Sequence, residues 1–192
     1  SVAKPLVVPH ADGPGNAAVV RPVPGSERGL AIANGLATAW CADPYRMGLA
    51  AIDECVRNLV CTGADPERIA ILDNFCWPGC DDEVRMGELV RASLACYDGA
   101  TAYGAPFISG KDSLNNQFRT EEGDVSHIPP TLLNSGFAPG DAERLVTSMD
   151  AKSAGNVLLL VGTTATDLGG AHVTELAGGI LPGGTGEIPL LD

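Results

Sequence analysis

Residues 69–113 read IAILDNFCWPGCDDEVRMGELVRASLACYDGATAYGAPFISGKDS, and the order of local signals within them decides the fold. Ile69-Ala70-Ile71-Leu72 is a short apolar run suited to a buried strand, ending where Asp73-Asn74 brings in polar groups. A helix is predicted from Asp81-Asp82 through Met86, Leu89, Val90, Leu94 and Tyr97, stopping before Gly104. Pro106-Phe107-Ile108 then leads into Ser109-Gly110-Lys111-Asp112-Ser113, a turn-prone segment. Strand, helix and second strand follow one another in a βαβ-like rhythm.

Working outward, Leu30-Ala31-Ile32-Ala33 reads as a strand after a Pro- and Gly-rich opening that runs to about Pro24. The next helix has both ends marked. Asp43 suits a cap, Pro44 the first helical position, and Gly63 the stop. Between them Leu49, Ile52, Val56, Leu59 and Val60 recur at helical spacing and are expected to face a core. Downstream, the polar stretch to about Ser126 is expected as a loop or exposed hairpin, and Pro129-Pro130 leads into a strand at Thr131-Leu132-Leu133. Composition turns polar around Ser148–Gly155, and Asn156-Val157-Leu158-Leu159-Leu160-Val161-Gly162 then opens a new unit. A boundary near residue 150 gives a first lobe over 1–149 and the beginning of a second over 150–192, too short for a core of its own.

Composition narrows the function classes. The 192 residues are 45% hydrophobic and 19% charged, as in a globular protein, with 24 Gly for tight turns and close backbone packing. The net charge of -12 argues against a nucleic-acid binder, whose affinity rests on Lys and Arg neutralising phosphates. No stretch reaches the ~18 apolar residues needed to span a bilayer, and the N-terminal residues lack the basic-then-apolar order of a signal peptide. A cytoplasmic setting with no membrane partner is the expectation. Among the six cysteines, Cys55 and Cys96 sit between aliphatic neighbours in helical segments, where a reduced thiol serves as a small hydrophobe. Cys76 and Cys80 bracket Trp77-Pro78-Gly79, but no second pair or adjacent His completes a zinc set.

No phosphate-loop, dinucleotide-fold or zinc-protease motif is present. Glu54 and Asn58, four apart, project from one side of the first helix. Such an oxygen pair can hold Mg2+ beside substrate phosphates, or it can form a solvated face. In Ser109–Ser113, Gly110 allows a phosphate to approach the backbone while Lys111, Asp112 and Ser113 supply a cation, a carboxylate and a hydroxyl; the alternative is a plain turn. Gly13-Pro14-Gly15-Asn16 is likewise either a nucleotide-facing loop or a tight turn.

Taken in order, several segments resemble the second internal repeat of the phosphoribosylformylglycinamidine synthase family. They are Gly13-Pro14-Gly15-Asn16-Ala17-Ala18-Val19-Val20-Arg21, Asp43-Pro44-Tyr45-Arg46, Glu54-Cys55-Val56-Arg57-Asn58 with Thr62-Gly63-Ala64, Asp73-Asn74-Phe75, Gly110-Lys111-Asp112-Ser113 and Ile128-Pro129-Pro130. Asp167-Leu168-Gly169-Gly170 resembles the start of the lobe that follows in that repeat. The resemblance implies an α/β (α+β) fold, an aminoimidazole-ribonucleotide-synthetase-like lobe whose mixed or antiparallel sheet is covered on one face by helices, followed by the start of a second α/β lobe. It also implies the activity. The family uses ATP to activate the amide oxygen of formylglycinamide ribonucleotide, and glutamine-derived ammonia then displaces phosphate.

By that resemblance ATP or ADP and Mg2+ are the expected ligands, with Gly15, Asp73, Gly110 and Ser113 at the nucleotide and Asn16, Glu54, Asn58 and Asp112 at metal. Asn16 stands where the family often has Asp, and Lys111-Asp112 replaces an Asn-Val found in some members, so the metal ligand in that loop stays open. His10, His127 and His172 match no catalytic motif, and no glutaminase constellation is present. The implied partners are the first repeat of the synthase, a glutaminase domain or subunit, and a second copy pairing through the sheet face. Two further readings remain: a half-sized relative such as aminoimidazole ribonucleotide synthetase or selenophosphate synthetase, and a module that holds ADP for structure alone.

Overall fold

The computed structural model describes residues 6–7, 13–145, 147–178, 186–189 and 191; His10 lies outside them. In chain order the elements are β1 (Leu6–Val7), β2 (Gly13–Pro14), β3 (Ala17–Val20), β4 (Arg28–Leu36), α1 (Pro44–Thr62), β5 (Ala70–Cys76), α2 (Glu83–Tyr103), β6 (Phe107–Ser113), β7 (Gln117–Arg119), β8 (Val125–His127), β9 (Thr131–Asp141) and α3 (His172–Leu176). A five-stranded sheet of order β3-β4-β9-β5-β6 carries the architecture; β5 and β6 are parallel and the other neighbours antiparallel. The parallel pair is the βαβ unit read from residues 69–113. The sheet is therefore mixed, with helices on one face.

α1 begins and ends where its signals predict. The Asp43 side chain accepts from the Arg46 backbone N–H, and Gly63 closes the helix in the left-handed region at φ 109°. Ile52, Val56 and Leu59 are buried as expected, whereas Val60 is 41% exposed at the margin of the stripe. β5 does not stop at Asp73-Asn74. It continues to Cys76, because the ladders to β9 and β6 pair its backbone on both sides whatever the side chains are. Ser109–Ser113, read as a turn, is likewise part of β6 at the sheet's edge. The polar stretch that follows forms the β7–β8 hairpin.

Burial alternates strictly along β4 and β9. Gly29, Ala31, Ala33 and Gly35 of β4, with Leu132, Asn134, Gly136 and Ala138 of β9, face the helices. The residues there are small for a physical reason. A Cβ on Gly35 would collide with the Ala51 carbonyl oxygen and stand 2.6 Å from the Cys55 nitrogen, and one on Gly136 would stand 2.6 Å from Cys55 Sγ. α1 thus lies against the bare backbone of the sheet. α2 docks on α1 by the same device, since a Cβ on Gly48 would meet Ala95 Cβ at 2.7 Å and one on Gly99 would meet Ile52 Cδ1 at 2.8 Å.

In α2 the buried residues are Ala92, Ala95 and Gly99, while Val90, Leu94 and Tyr97 are 51%, 54% and 70% exposed. Leu89 packs against the core, but the other large apolar residues point outward and the small ones inward. Two clusters fill the interior: one around Ile52, Leu59 and Ile71, the other around Met47, Phe75, Trp77 and Leu132. Asp53, buried in α1, pairs with Arg57 at 2.7 Å and accepts from the Tyr103 hydroxyl, tying the last residue of α2 to the middle of α1. Burial, then that hydrogen bond, pushes the Tyr103 phenol up to about 12.

Two glycines test this packing with the same chemical change. Gly35→Ala is expected to cost about 3 kcal/mol, because backbone must move to admit the methyl. Gly87→Ala, in α2 with nothing within 4 Å of the added carbon, is expected to add roughly 0.5–1 kcal/mol. Urea unfolding followed by circular dichroism reads both.

Candidate functional site

The close seat of α1 sets up the first group of predicted residues. Glu54 and Asn58 lie on the side of α1 nearest the end of β4. Glu54 Oε2 accepts from the Leu36 N–H at 2.7 Å, and Asn58 Nδ2 donates to the Asn34 carbonyl at 3.0 Å. Both strand groups are available because β3 stops short: its last pair is Ala17 with Ala33, leaving residues 34–36 of β4 without a β3 neighbour. Asn16, exposed, is the next residue past that pair and comes beside Asn34, with half-buried Gly15 before it. Glu54 and Asn58 therefore meet over the end of β4, at one corner of the sheet, from its helix-covered side, whereas Asn16, with Gly15 before it, precedes β3 in line with Asn34, whose side chain belongs to the opposite face. On that opposite face Asn34 Oδ1 accepts from the Ser135 hydroxyl at 2.7 Å.

Asp112 does not join this corner. It lies on β6, three strands from β4, or ~14 Å at the usual strand spacing. One Mg2+ ion, with ligands at about 2.1 Å, cannot bind both. The predicted residues of β5 and β6 also divide between the two faces of the sheet. Asp73 pairs with Gly110 on one side and Asn134 on the other, and Asp112 pairs with core residue Phe75, so Asp73, Gly110 and Asp112 share the helix-covered face. A Cβ on Gly110 would stand 2.8 Å from Asp73 Oδ2, so this glycine leaves the carboxylate its room. Burial, with the Asp112 charge adding to it, holds the Asp73 carboxyl above the usual range. Ser113 pairs with Cys76 on the opposite, open face, where the Lys111 ammonium donates to the Ser113 hydroxyl.

That open face carries Ala18, Val20, Leu30, Ile32 and Phe137 at one end, and at the other Asn34, Ser135, Asn74, Lys111 and Ser113 interleaved with Leu36, Leu72 and Leu133. Sequence reading missed Asn34, Asn134 and Ser135. Their signal would have been strand alternation carried through to Asp141, which identifies which polar residues share a face. An open crevice of about 540 Å³ beside the α2 N-terminus, lined by Cys41, Asp82, Arg85, Glu88, His127 and Ile128 among others, contains none of the predicted residues. No three His, Cys, Asp or Glu side chains converge as a metal set among the described residues, and no described helix is long and apolar enough to cross a membrane.

A mixed sheet with two glycine-seated helices on one face and an open, half-apolar opposite face defines a two-layer α/β lobe with its polar side chains gathered at the sheet's rim. The chain belongs to the family described as AIR synthase related protein, N-terminal domain, which matches residues 14–126. Its relatives include the phosphoribosylformylglycinamidine synthase subunit PurL of Anaeromyxobacter sp., 35% identical over 82% of this chain and 20% of the relative, and that of Erythrobacter litoralis, 36% identical over 77% and 20%. The chain spans about a fifth of the length of these curated relatives. Among solved structures it is similar to PurLQS from Thermotoga maritima, with a TM-score of 0.56 and 26% identity over 67% of this chain and 20% of that one. It is also similar to PurL from that organism complexed with ATP, with a TM-score of 0.51 and 27% identity over the same shares.

All six cysteines are free. Burial, then the Glu54 charge, pushes the Cys55 thiol up to about 12; burial, then the Asp73 charge, does the same to Cys96. A thiol reagent at pH 8 is therefore expected to label exposed Cys61 promptly and Cys55 and Cys96 only on unfolding, as peptide mass spectrometry reads. Prompt labelling of Cys55 in the folded chain would contradict the close seat of α1.

Proposed function

We propose that this chain is a nucleotide-binding lobe of a phosphoribosylformylglycinamidine synthase, from the second of the enzyme's two repeats. In this reading it takes part in the ATP-dependent conversion of formylglycinamide ribonucleotide and glutamine-derived ammonia to formylglycinamidine ribonucleotide, a cytoplasmic step of purine biosynthesis. The observation that carries the reading is the similarity to PurL subunits over about four-fifths of the chain. Solved PurL structures similar to it are complexed with ATP, ADP and formylglycinamide ribonucleotide (FGAR). The position of Glu54 and Asn58, one turn apart at the end of β4, supports a role for them in holding Mg2+; Asn16, from the loop before β3, is proposed to join them, with Gly15 letting a phosphate approach the backbone. The donor set fits: one carboxylate and two amide oxygens, with room for water and phosphate as the remaining ligands of a hard cation. The chemistry Mg2+ supplies when bound is charge neutralisation at the phosphates. Asp73 and Gly110 from the helix side, and Ser113 from the open face, are proposed to reach the nucleotide.

The lobe is proposed to end near residue 149, with 150–192 beginning another. Val157–Val161 supports this: five consecutive apolar residues, 79–95% exposed and outside any helix or sheet. A run apolar on both sides of the strand suits the middle of a covered sheet. The apolar end of the open face suits pairing with the first repeat or, for this chain alone, with a second copy, while a glutaminase subunit supplies ammonia.

Calorimetric titration of ADP and ATP tests the corner. Nucleotide affinity is expected to require Mg2+ and to fall at least tenfold in the Glu54→Ala, Asn58→Ala double variant; affinity equal to that of the unchanged chain rejects these ligands. Sedimentation equilibrium tests the face. A concentration-dependent dimer is expected, weakened by Phe137→Asp, and a monomer at high concentration overturns the pairing.

A further inference from the structure

Residues 151–166 are exposed throughout, but burial returns at Asp167, Leu168 and Gly169 and again at Ile188 and Pro189. These two stretches are joined to each other. The Gly169 N–H donates to the Glu187 carbonyl at 2.8 Å, and the approach is backbone to backbone, since a Cβ on Gly169 would stand 2.6 Å from that carbonyl oxygen. Both stretches meet the start of α1. Gly170, at φ 76°, lies so close to Trp40 that a Cβ there would collide with the indole. The Arg46 guanidinium donates to the Ile188 carbonyl at 2.6 Å, across 142 positions of sequence. Pro189 and Leu191 line a crevice of about 380 Å³ together with Tyr45, Leu49 and Arg91.

We infer that the entry of α1, from Trp40 to Leu49, is the docking surface that holds the second unit, with Arg46 as its latch, and that residues 167–170 and 187–191 are the parts of this chain that seat there. A unit too short for a core of its own gains burial only against a neighbour. The latch is set in place by the first lobe alone. Asp43, which caps α1, pairs with Arg46 at 3.5 Å and with Arg91 of α2 at 2.8 Å, and the Arg91 guanidinium lies 5.9 Å from the centre of the Tyr45 ring. A donor already held in this way loses less side-chain freedom on docking. Its charge strengthens the bond to the carbonyl, and a backbone acceptor reads the path of the chain instead of a side chain. Trp40 and Leu49 add apolar contact on either side of this polar anchor. The surface belongs to the helical layer, so docking here leaves the open face of the sheet free. The inference takes from the proposed reading only the boundary near residue 150 and needs neither nucleotide nor metal.

Hydrogen exchange on the whole chain, read by peptide mass spectrometry, tests the latch. Amides in 167–171 are expected to be protected relative to those in 157–161, and Arg46→Ala, a change on α1 far from the turn in sequence, is expected to speed their exchange at least threefold. Amides of β4 and β9 are expected to keep their rates. Acrylamide quenching of tryptophan emission tests the same surface from the other side. Trp77 is fully buried, so added quenching reports Trp40. Gly169→Ala, whose added carbon forces the two stretches apart, is expected to at least double it. Absence of protection at 167–171 in the unchanged chain, a smaller effect in either variant, or faster exchange in β4 and β9 overturns the inference. The nucleotide titration reads none of these quantities, so failure of the nucleotide reading and failure of the docking surface are told apart.

Discussion

The close approach of α1 to the sheet is the constraint on which the rest depends. Helices ordinarily rest on a layer of side chains, but Gly35 and Gly136 remove that layer beneath Ala51, Cys55 and Leu59. Packing at this distance gives up the burial a larger side chain would contribute and gains dispersion contacts between backbone and helix. It also fixes the height of every α1 side chain above the strands. Glu54 and Asn58 reach the backbone of β4 only because the helix is this low. A helix raised by one methyl layer would leave them in solvent, so the corner follows from two absent side chains.

The position of α1 dictates that of α2. Gly48, Ala95 and Gly99 bring the two helices together, and the side of α2 that makes this contact has no room for large residues. Met86, Val90, Leu94 and Tyr97 are thereby left facing outward, on the side away from the sheet. Scattered exposed apolar residues are ordinary, but a run at spacings of four, four and three is a continuous stripe. α2 thus has a small-residue side toward its own lobe and a larger apolar side directed away from it.

Local signals that act through the backbone were legible in the sequence: Asp43, Pro44 and Gly63 bound α1, and Asp82 and Gly104 bound α2, because caps depend on residues within one turn. The strands were legible in their apolar halves. β5 was read short and β6 as a turn, since Asp73, Asn74, Lys111 and Asp112 carry no strand propensity, and what extends these strands is a ladder to residues tens of positions away. The division of the site was hidden for the same reason. Asp112 and Ser113 are adjacent in sequence, yet a strand's period of two sends them to opposite faces, so reading them as one loop merged two environments. Asn134 gave no local signal at all, because its isolation becomes visible only once Gly35 and Asp73 are known to flank it.

The placement of the polar residues also says what this layer lacks. A nucleotide site encloses most of its ligand, whereas the corner, the β6 edge and the polar end of the open face all lie at the boundary of a single sheet. Each offers one wall. The open face that carries one of them is also the face whose other end is apolar, through Ile32, Leu30 and Phe137. A second sheet laid on that apolar end would bury it and, in the same movement, bring an opposing wall over Asn34, Ser135 and Lys111. With a net charge of -12, a ligand phosphate at these walls meets repulsion unless cations come with it. The apolar half of the face thus offers area that a second layer could bury, while the carboxylates at the rim set the charge that any anionic ligand there would have to overcome.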